Sequence, residues 1–171
     1  AAAGLSWAII EWLRNGKPTM VGVASGAVAG LVAITPAAGF VNVFSAILIG
    51  LLVSVFCYIA AAVIKPKLGY DDALDAFGIH CVGGIWGALA TGLFASKAVN
   101  AAGSDGLFFG NPKLFLIQAT AVGVTLLYAS IGTFIIYKVV DALMGMRVSV
   151  KDEDMGLDLT QHHERAYTIL E

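Results

Sequence analysis

The sequence predicts an all-α polytopic membrane protein, and three observations carry that prediction. Only 13% of its 171 residues are charged and 58% are hydrophobic, whereas a soluble domain carries about a quarter charged residues. Between Pro18 and Ile64 there is no Asp, Glu, Lys or Arg at all. From Ala76 to Ala95 the only ionisable side chains are His80 and Cys81, over roughly the length that crosses a bilayer as a helix.

Taken in order, residues 1–13 form an apolar segment too short to span. It ends at Glu11 to Arg14 and reads as the last part of a helix whose beginning is missing. No signal peptide is visible: the chain opens on Ala1, without a basic n-region. Asn15, Gly16 and Pro18 make a turn. A helix is expected over 20–35, with Gly22, Gly26 and Gly30 at a spacing of four. Such spacing lays a nearly side-chain-free groove along one helix face, where another helix can approach closely. Pro36 disfavours α geometry at Thr35 and so is expected to end that helix. The backbone groups it frees need partners, and such an end can line an aqueous vestibule.

The next helix, 43–64, is apolar all round, as a buried or lipid-facing span would be, and Lys65, Pro66 and Lys67 are expected to close it sharply. Cys57 and Cys81 lie in apolar runs and read as small buried hydrophobes. No CxxC or His-x-x-x-His spacing supports a metal site, and no cofactor is implied. The helix expected over 75–95 begins among Asp71, Asp72 and Asp75, which suit the positive end of its dipole. Asp71 and Asp72 read as solvated capping residues, whereas Asp75 lies close enough to the membrane face to need partners. A polar, glycine-rich connection from Ser96 to Pro112 follows, then a helix over 113–144 long enough to overshoot a bilayer. Residues 145–171 form a polar tail with a turn at Gly156 and a short helix expected from Gln161, capped by Asp158 or Thr160.

Basic residues set the orientation. If the helices alternate, eight of the ten Lys and Arg residues (Arg14, Lys17, Lys65, Lys67, Lys138, Arg147, Lys151 and Arg165) fall on one side, leaving Lys97 and Lys113 on the other. The positive-inside rule puts the larger group in the cytoplasm. The tail is then cytoplasmic and the 96–112 loop external. A net charge of −2 without a basic patch gives no support to nucleic-acid binding.

His80 is the residue on which function turns. An ionisable group at membrane depth is costly and points to function. The alternative is a histidine that donates to a backbone carbonyl and only joins helices.

The segment Asp75 to Gly84 resembles the D-x-F-x-x-H-x-x-x-G signature of the ammonium transporter (Amt/Mep/Rh) family. Glu11 to Pro18 resembles that family's loop between its seventh and eighth helices, and Gly26 to Gly39 its eighth helix. Gly156 to Tyr167, with Asp158, Thr160 and His162, resembles its cytoplasmic tail. One departure is that His163 stands where the tail usually has glycine. The resemblance implies the second half of an eleven-helix, inverted-repeat channel. It further implies a homotrimer in the plasma membrane, with one pore per subunit and a C-terminal tail that admits a PII-type signal protein. His80 would be the second pore histidine, Asp75 would sit near the inner mouth, and Ala76 would line the pore one turn before His80. Thr160 matches a position that some plant relatives phosphorylate.

Ammonium matches potassium in size and charge, but it alone can shed a proton and become neutral. A narrow apolar pore rejects bare metal ions by desolvation, and a neutral imidazole can donate to and accept from ammonia on the way. Two rival classes remain: an ammonium sensor signalling through the tail, and an intramembrane enzyme. The enzyme would need a nucleophile beside His80, and only Cys81, the next residue on the helix, is at hand. The expected cargo is ammonium or ammonia, with methylammonium as its analogue.

Overall fold

The computed structural model describes residues 1–165, and the architecture is helical throughout. The elements are α1 (Ala2–Asn15), α2 (Met20–Ile34), α3 (Val43–Ile59), α4 (Lys65–Leu68), α5 (Val82–Phe94), α6 (Pro112–Met144), α7 (Val150–Met155) and α8 (Leu157–Thr160). Two π-turns, Ala60–Ile64 and Phe77–Cys81, lie between α3 and α5. Among the described residues, four segments are long and apolar enough to cross a membrane: Met20–Ala37, Val43–Leu68, Phe77–Phe94 and Pro112–Met144.

The glycine-spaced face of α2 receives α1. A Cβ placed on Gly26 would lie 2.5 Å from the Trp7 Cβ, and one on Gly30 would lie 2.7 Å from the Ala3 Cβ. On Gly22 it would collide with the Glu11 carboxylate. That carboxylate is buried and accepts from Trp7 Nε1 at 3.2 Å, Thr19 N at 2.6 Å and the Thr19 hydroxyl at 3.0 Å. Thr19 in turn caps α2 by accepting from Gly22 N at 2.9 Å. A side chain at position 22 would therefore displace the acceptor that satisfies the turn between the two helices. Gly16 ends α1 in the left-handed region, φ +76°, where glycine pays no Cβ penalty.

α3 packs across the other side of α1. Ser54 Oγ donates to Ala3 O at 2.6 Å, Ser6 Oγ donates to Leu51 O at 3.0 Å, and the Trp7 and Tyr58 rings meet edge to face at 5.5 Å. Ile49, Val53 and Cys57 are fully buried. α5 crosses α2 at Gly87, whose Cα faces the backbone of Ala33 so closely that no Cβ fits. Gly83 lies against Val32 and Cys57.

α2 ends at Ile34, as the sequence reading has it, but the backbone at Pro36 and at Pro66 stays helical, which that reading did not expect. Thr35 keeps α geometry (φ −53°, ψ −51°), and a 3-10 turn, Thr35–Ala37, carries the helix on through Pro36. The Thr35 hydroxyl donates to Leu31 O at 2.7 Å, sharing that carbonyl with the Thr35 backbone N–H. Lys65-Pro66-Lys67 does not close α3. The helix widens into the π-turn, in which Lys65 N–H reaches Ala60 O, and one more turn follows before Gly69 stops it at φ +66°. The π-turn alters the spacing of donors and acceptors just ahead of Pro66, so the proline is tolerated.

The 96–111 connection is ordered. Ser96 N donates to Phe40 O at 2.8 Å, Gly106 N donates to Ala95 O at 2.7 Å, and Lys97 N donates to Asp105 Oδ1 at 2.8 Å. α6 has 33 residues, about 50 Å at 1.5 Å per residue, and none of them is buried. By contact it divides at residue 125 between two units, 1–125 and 126–171.

Replacing Gly26 with valine should lower the stability of the full-length protein by roughly 1–3 kcal/mol through overpacking against Trp7. A thermal midpoint in detergent equal to that of the parent would contradict so close an approach.

Candidate functional site

His80 lies in the Phe77–Cys81 π-turn, which opens the α5 span. In that turn Val82 N–H reaches back to Phe77 O as well as Ile79 O. A π-turn holds one residue more than an α turn, so it shifts the face on which His80 appears relative to α5. Gly78 makes room for it, because its Cα lies against Ala61 of the opposite π-turn, with a built Cβ 3.4 Å from the Ala61 Cβ.

The turn is held from outside at three points. At its start, the Asp72 carboxylate accepts from Ala76 N at 2.8 Å, Phe77 N at 3.0 Å and Gly78 N at 3.4 Å. These are N–H groups that a helix start leaves without internal partners. In its middle, Ile79 O accepts a weak bond from the Cys57 thiol at 3.7 Å. Before it, Asp75 adopts φ +54° and pairs with Lys65 Nζ at 2.5 Å. The same ammonium donates to Asp72 O at 2.8 Å.

The sequence-derived site residues therefore separate. His80 and Ala76 are both exposed on the described chain. Among the described residues, the His80 ring has no hydrogen bond, ion pair or ring contact. Asp75 is half-buried and ion-paired. Asp72, read from sequence as a solvated cap, is half-buried and binds three N–H groups of the His80 segment. Thr35 is exposed and turned back on its own helix. It sits near the level of Gly87, about two turns along from His80, so the two are not brought together. Cys57 and Lys65 were missed as partners of the site. Cys57 is buried as expected, but it is also a donor. An apolar cavity of about 330 Å³ between α3 and α5 is lined by residues that include Phe56, Ile59, Val82, Trp86 and Leu89, and not by His80.

The tail is a second candidate site. Ser149 caps α7 through its hydroxyl, which accepts from Asp152 N at 3.2 Å, and Arg147 grips Glu153 with two bonds of 2.9 and 3.1 Å. Gly156 turns at φ +98°. The short helix expected from Gln161 is instead α8, Leu157–Thr160, with Gln161 as its C-cap. Asp158 lies in its first turn rather than ahead of it, and the Thr160 hydroxyl donates back to Gly156 O at 3.1 Å. His162 N donates to Leu157 O at 3.2 Å. His163 adopts φ +54°, the left-handed conformation open to the glycine that usually stands there. Tyr167 lies outside the described residues.

Several apolar spans, with an ionisable residue set on a capped π-turn, define a polytopic helical membrane protein. The family model for the Ammonium Transporter Family matches residues 1–167. An ammonium transporter of Bacillus subtilis is 52% identical over 98% of this chain and 42% of its own length. Ammonium transporter Amt1 of Archaeoglobus fulgidus is 52% identical over 98% and 42%. In fold, the chain superposes on the crystal structure of Saccharomyces cerevisiae Mep2 with a TM-score of 0.84 and 37% identity, over 94% of this chain and 37% of that one. A sensor Amt protein superposes at 0.81 with 28% identity, over 94% and 38%. The chain belongs to the ammonium transporter family, and it spans about two fifths of the length of the curated relatives it matches. Its family is one of transporters, not enzymes.

The Arg147 guanidinium holds the Glu153 carboxyl below the usual carboxylate range. Its contribution to tail order is thus complete above the ordinary glutamate pKa and is lost as pH falls through the depressed one. Amide exchange across Val150–Met155 should accelerate as pH falls below that ordinary range, and Arg147→Leu, which removes the pair, should make exchange faster at neutral pH and abolish that acid onset. An onset that this substitution leaves in place would deny the pair its role.

Proposed function

We propose that the full-length protein conducts ammonium or ammonia across the plasma membrane through a narrow apolar pore in which His80 stands as a neutral imidazole. The reading rests above all on one observation. The family model for ammonium transporters matches residues 1–167, and His80 stands on an exposed face of this chain. In the complete protein a ring with both nitrogens available can accept from ammonium and donate to ammonia.

Selectivity follows from desolvation. Bare K⁺ or Na⁺ must cross the apolar stretch as an ion, at many kcal/mol. Ammonium can leave its proton behind and pass as a neutral molecule. Ala76, one turn before His80, keeps the wall apolar and narrow, while Asp75 at the inner mouth attracts cations. The assembly is a homotrimer of eleven-helix subunits with a cytoplasmic C-terminus. Its tail, where α7 carries Lys151, Asp152, Glu153 and Asp154, offers a charged surface for a PII-type signal protein that closes the pore from inside. Thr160, whose hydroxyl is bonded within the tail, is the position there for regulatory phosphorylation.

A second reading is ammonium sensing, favoured by the 0.81 superposition on a sensor Amt protein. The two separate in proteoliposomes: a transporter moves methylammonium at turnover, whereas a sensor binds it and changes its tail.

His80→Leu in the full-length protein should cut methylammonium uptake by at least about tenfold while the oligomer elutes unchanged, since leucine offers no hydrogen bond to the cargo. Wild-type uptake in that variant would leave His80 a packing residue. Removal of Gly145–Glu171 should weaken binding of a PII protein in a pull-down at matched expression, and undiminished binding would place the docking surface elsewhere.

A further inference from the structure

Lys65 belongs to neither the pore wall nor the tail, yet its ammonium reaches the turn leading into the His80 segment. It ends the first π-turn, with its N–H on Ala60 O. Its Nζ bonds both ends of the 72–75 turn: Asp72 O at 2.8 Å and Asp75 Oδ1 at 2.5 Å. Asp75 stands in the left-handed region, φ +54°, which an L-residue rarely occupies without support from its surroundings. Its N–H closes the turn on Asp72 O at 3.1 Å, and its own carbonyl accepts from Ile79 N at 2.9 Å.

We infer that Lys65 is a positioning residue for His80: by clamping the 72–75 turn it keeps the Asp72 carboxylate on the Ala76, Phe77 and Gly78 amides and so holds His80 in π register. The inference rests on the pore reading of His80. A π-turn is one residue away from an ordinary helix. Relaxation to α register would swing the preceding segment by roughly 100° about the helix axis, the rotation per residue at 3.6 residues per turn. His80 and Ala76 would then leave their shared face. The pair is partly exposed, with side chains 26% and 35% accessible, and pairs of that kind add little to global stability. Its effect is therefore local. The opposing π-turn matters for the same reason, because an α turn at Ala60–Ile64 would carry Lys65 away from Asp75.

The test compares Lys65→Met, Lys65→Arg and His80→Leu in the full-length protein, with elution volume, methylammonium uptake and hydrogen exchange of the 76–80 amides as readouts. Lys65→Met should lower the maximal uptake rate about tenfold, as misplacement of a working group does, with the half-saturation concentration unchanged. Its 76–80 amides should exchange faster while elution stays the same. Lys65→Arg, which keeps the charge and the donors, should retain about half the rate or more. Wild-type uptake by Lys65→Met beside a disabled His80→Leu would overturn the clamp alone. So would unchanged 76–80 exchange, or a loss in Lys65→Arg as deep as in Lys65→Met. If His80→Leu itself transports normally, it is the pore reading that fails.

Discussion

Helix backbones meet α2 at contact distance from two directions, and the packing of the membrane unit depends on that. α1 lies along Gly22, Gly26 and Gly30, and α5 brings Gly87 against Ala33. Within a bilayer there is no hydrophobic gain from helix association, since lipid tails are as apolar as leucine. What remains is van der Waals contact and hydrogen bonding, and both improve as backbones approach. Small residues at these positions therefore set the helix arrangement that carries the site.

Close approach brings polar groups into low-dielectric surroundings, where each must have a partner. The solutions share one form: an acidic side chain placed at a helix start. Glu11 satisfies Trp7 Nε1 and Thr19 ahead of α2, and Asp72 satisfies three amides ahead of α5. Buried hydroxyls close other gaps, as Ser54 does on Ala3 O.

Much of this was legible in the chain. The charge-free run from Pro18 to Ile64 announces the membrane, and glycine at every fourth position announces a helix contact. Asp75, Phe77, His80 and Gly84 together announce the family. The α geometry at Thr35 and the helical turn past Pro66 were not legible, because the proline rule is a statement about isolated dipeptides. In the folded chain a 3-10 turn and a π-turn absorb the two prolines. Asp72 was underestimated for a related reason: three acids within five residues look alike, and only geometry shows which carboxylate meets the amides. His163 is the converse case. The substitution of a glycine is visible in the sequence, yet the structure keeps the left-handed turn that glycine would have made.

Hydropathy, glycine spacing and the spacing of acid and histidine are local properties that survive any rearrangement of the rest. They determined by themselves that this chain crosses a membrane as helices and that α2 accepts close neighbours. Tertiary structure decided the register in which His80 is shown, the cation that Asp75 binds and the thiol that reaches Ile79. Each of these depends on groups four or more residues apart meeting across a turn or between helices. A π-turn differs from an α turn by a single residue and has no composition of its own, so only the partners that meet it in space choose between them.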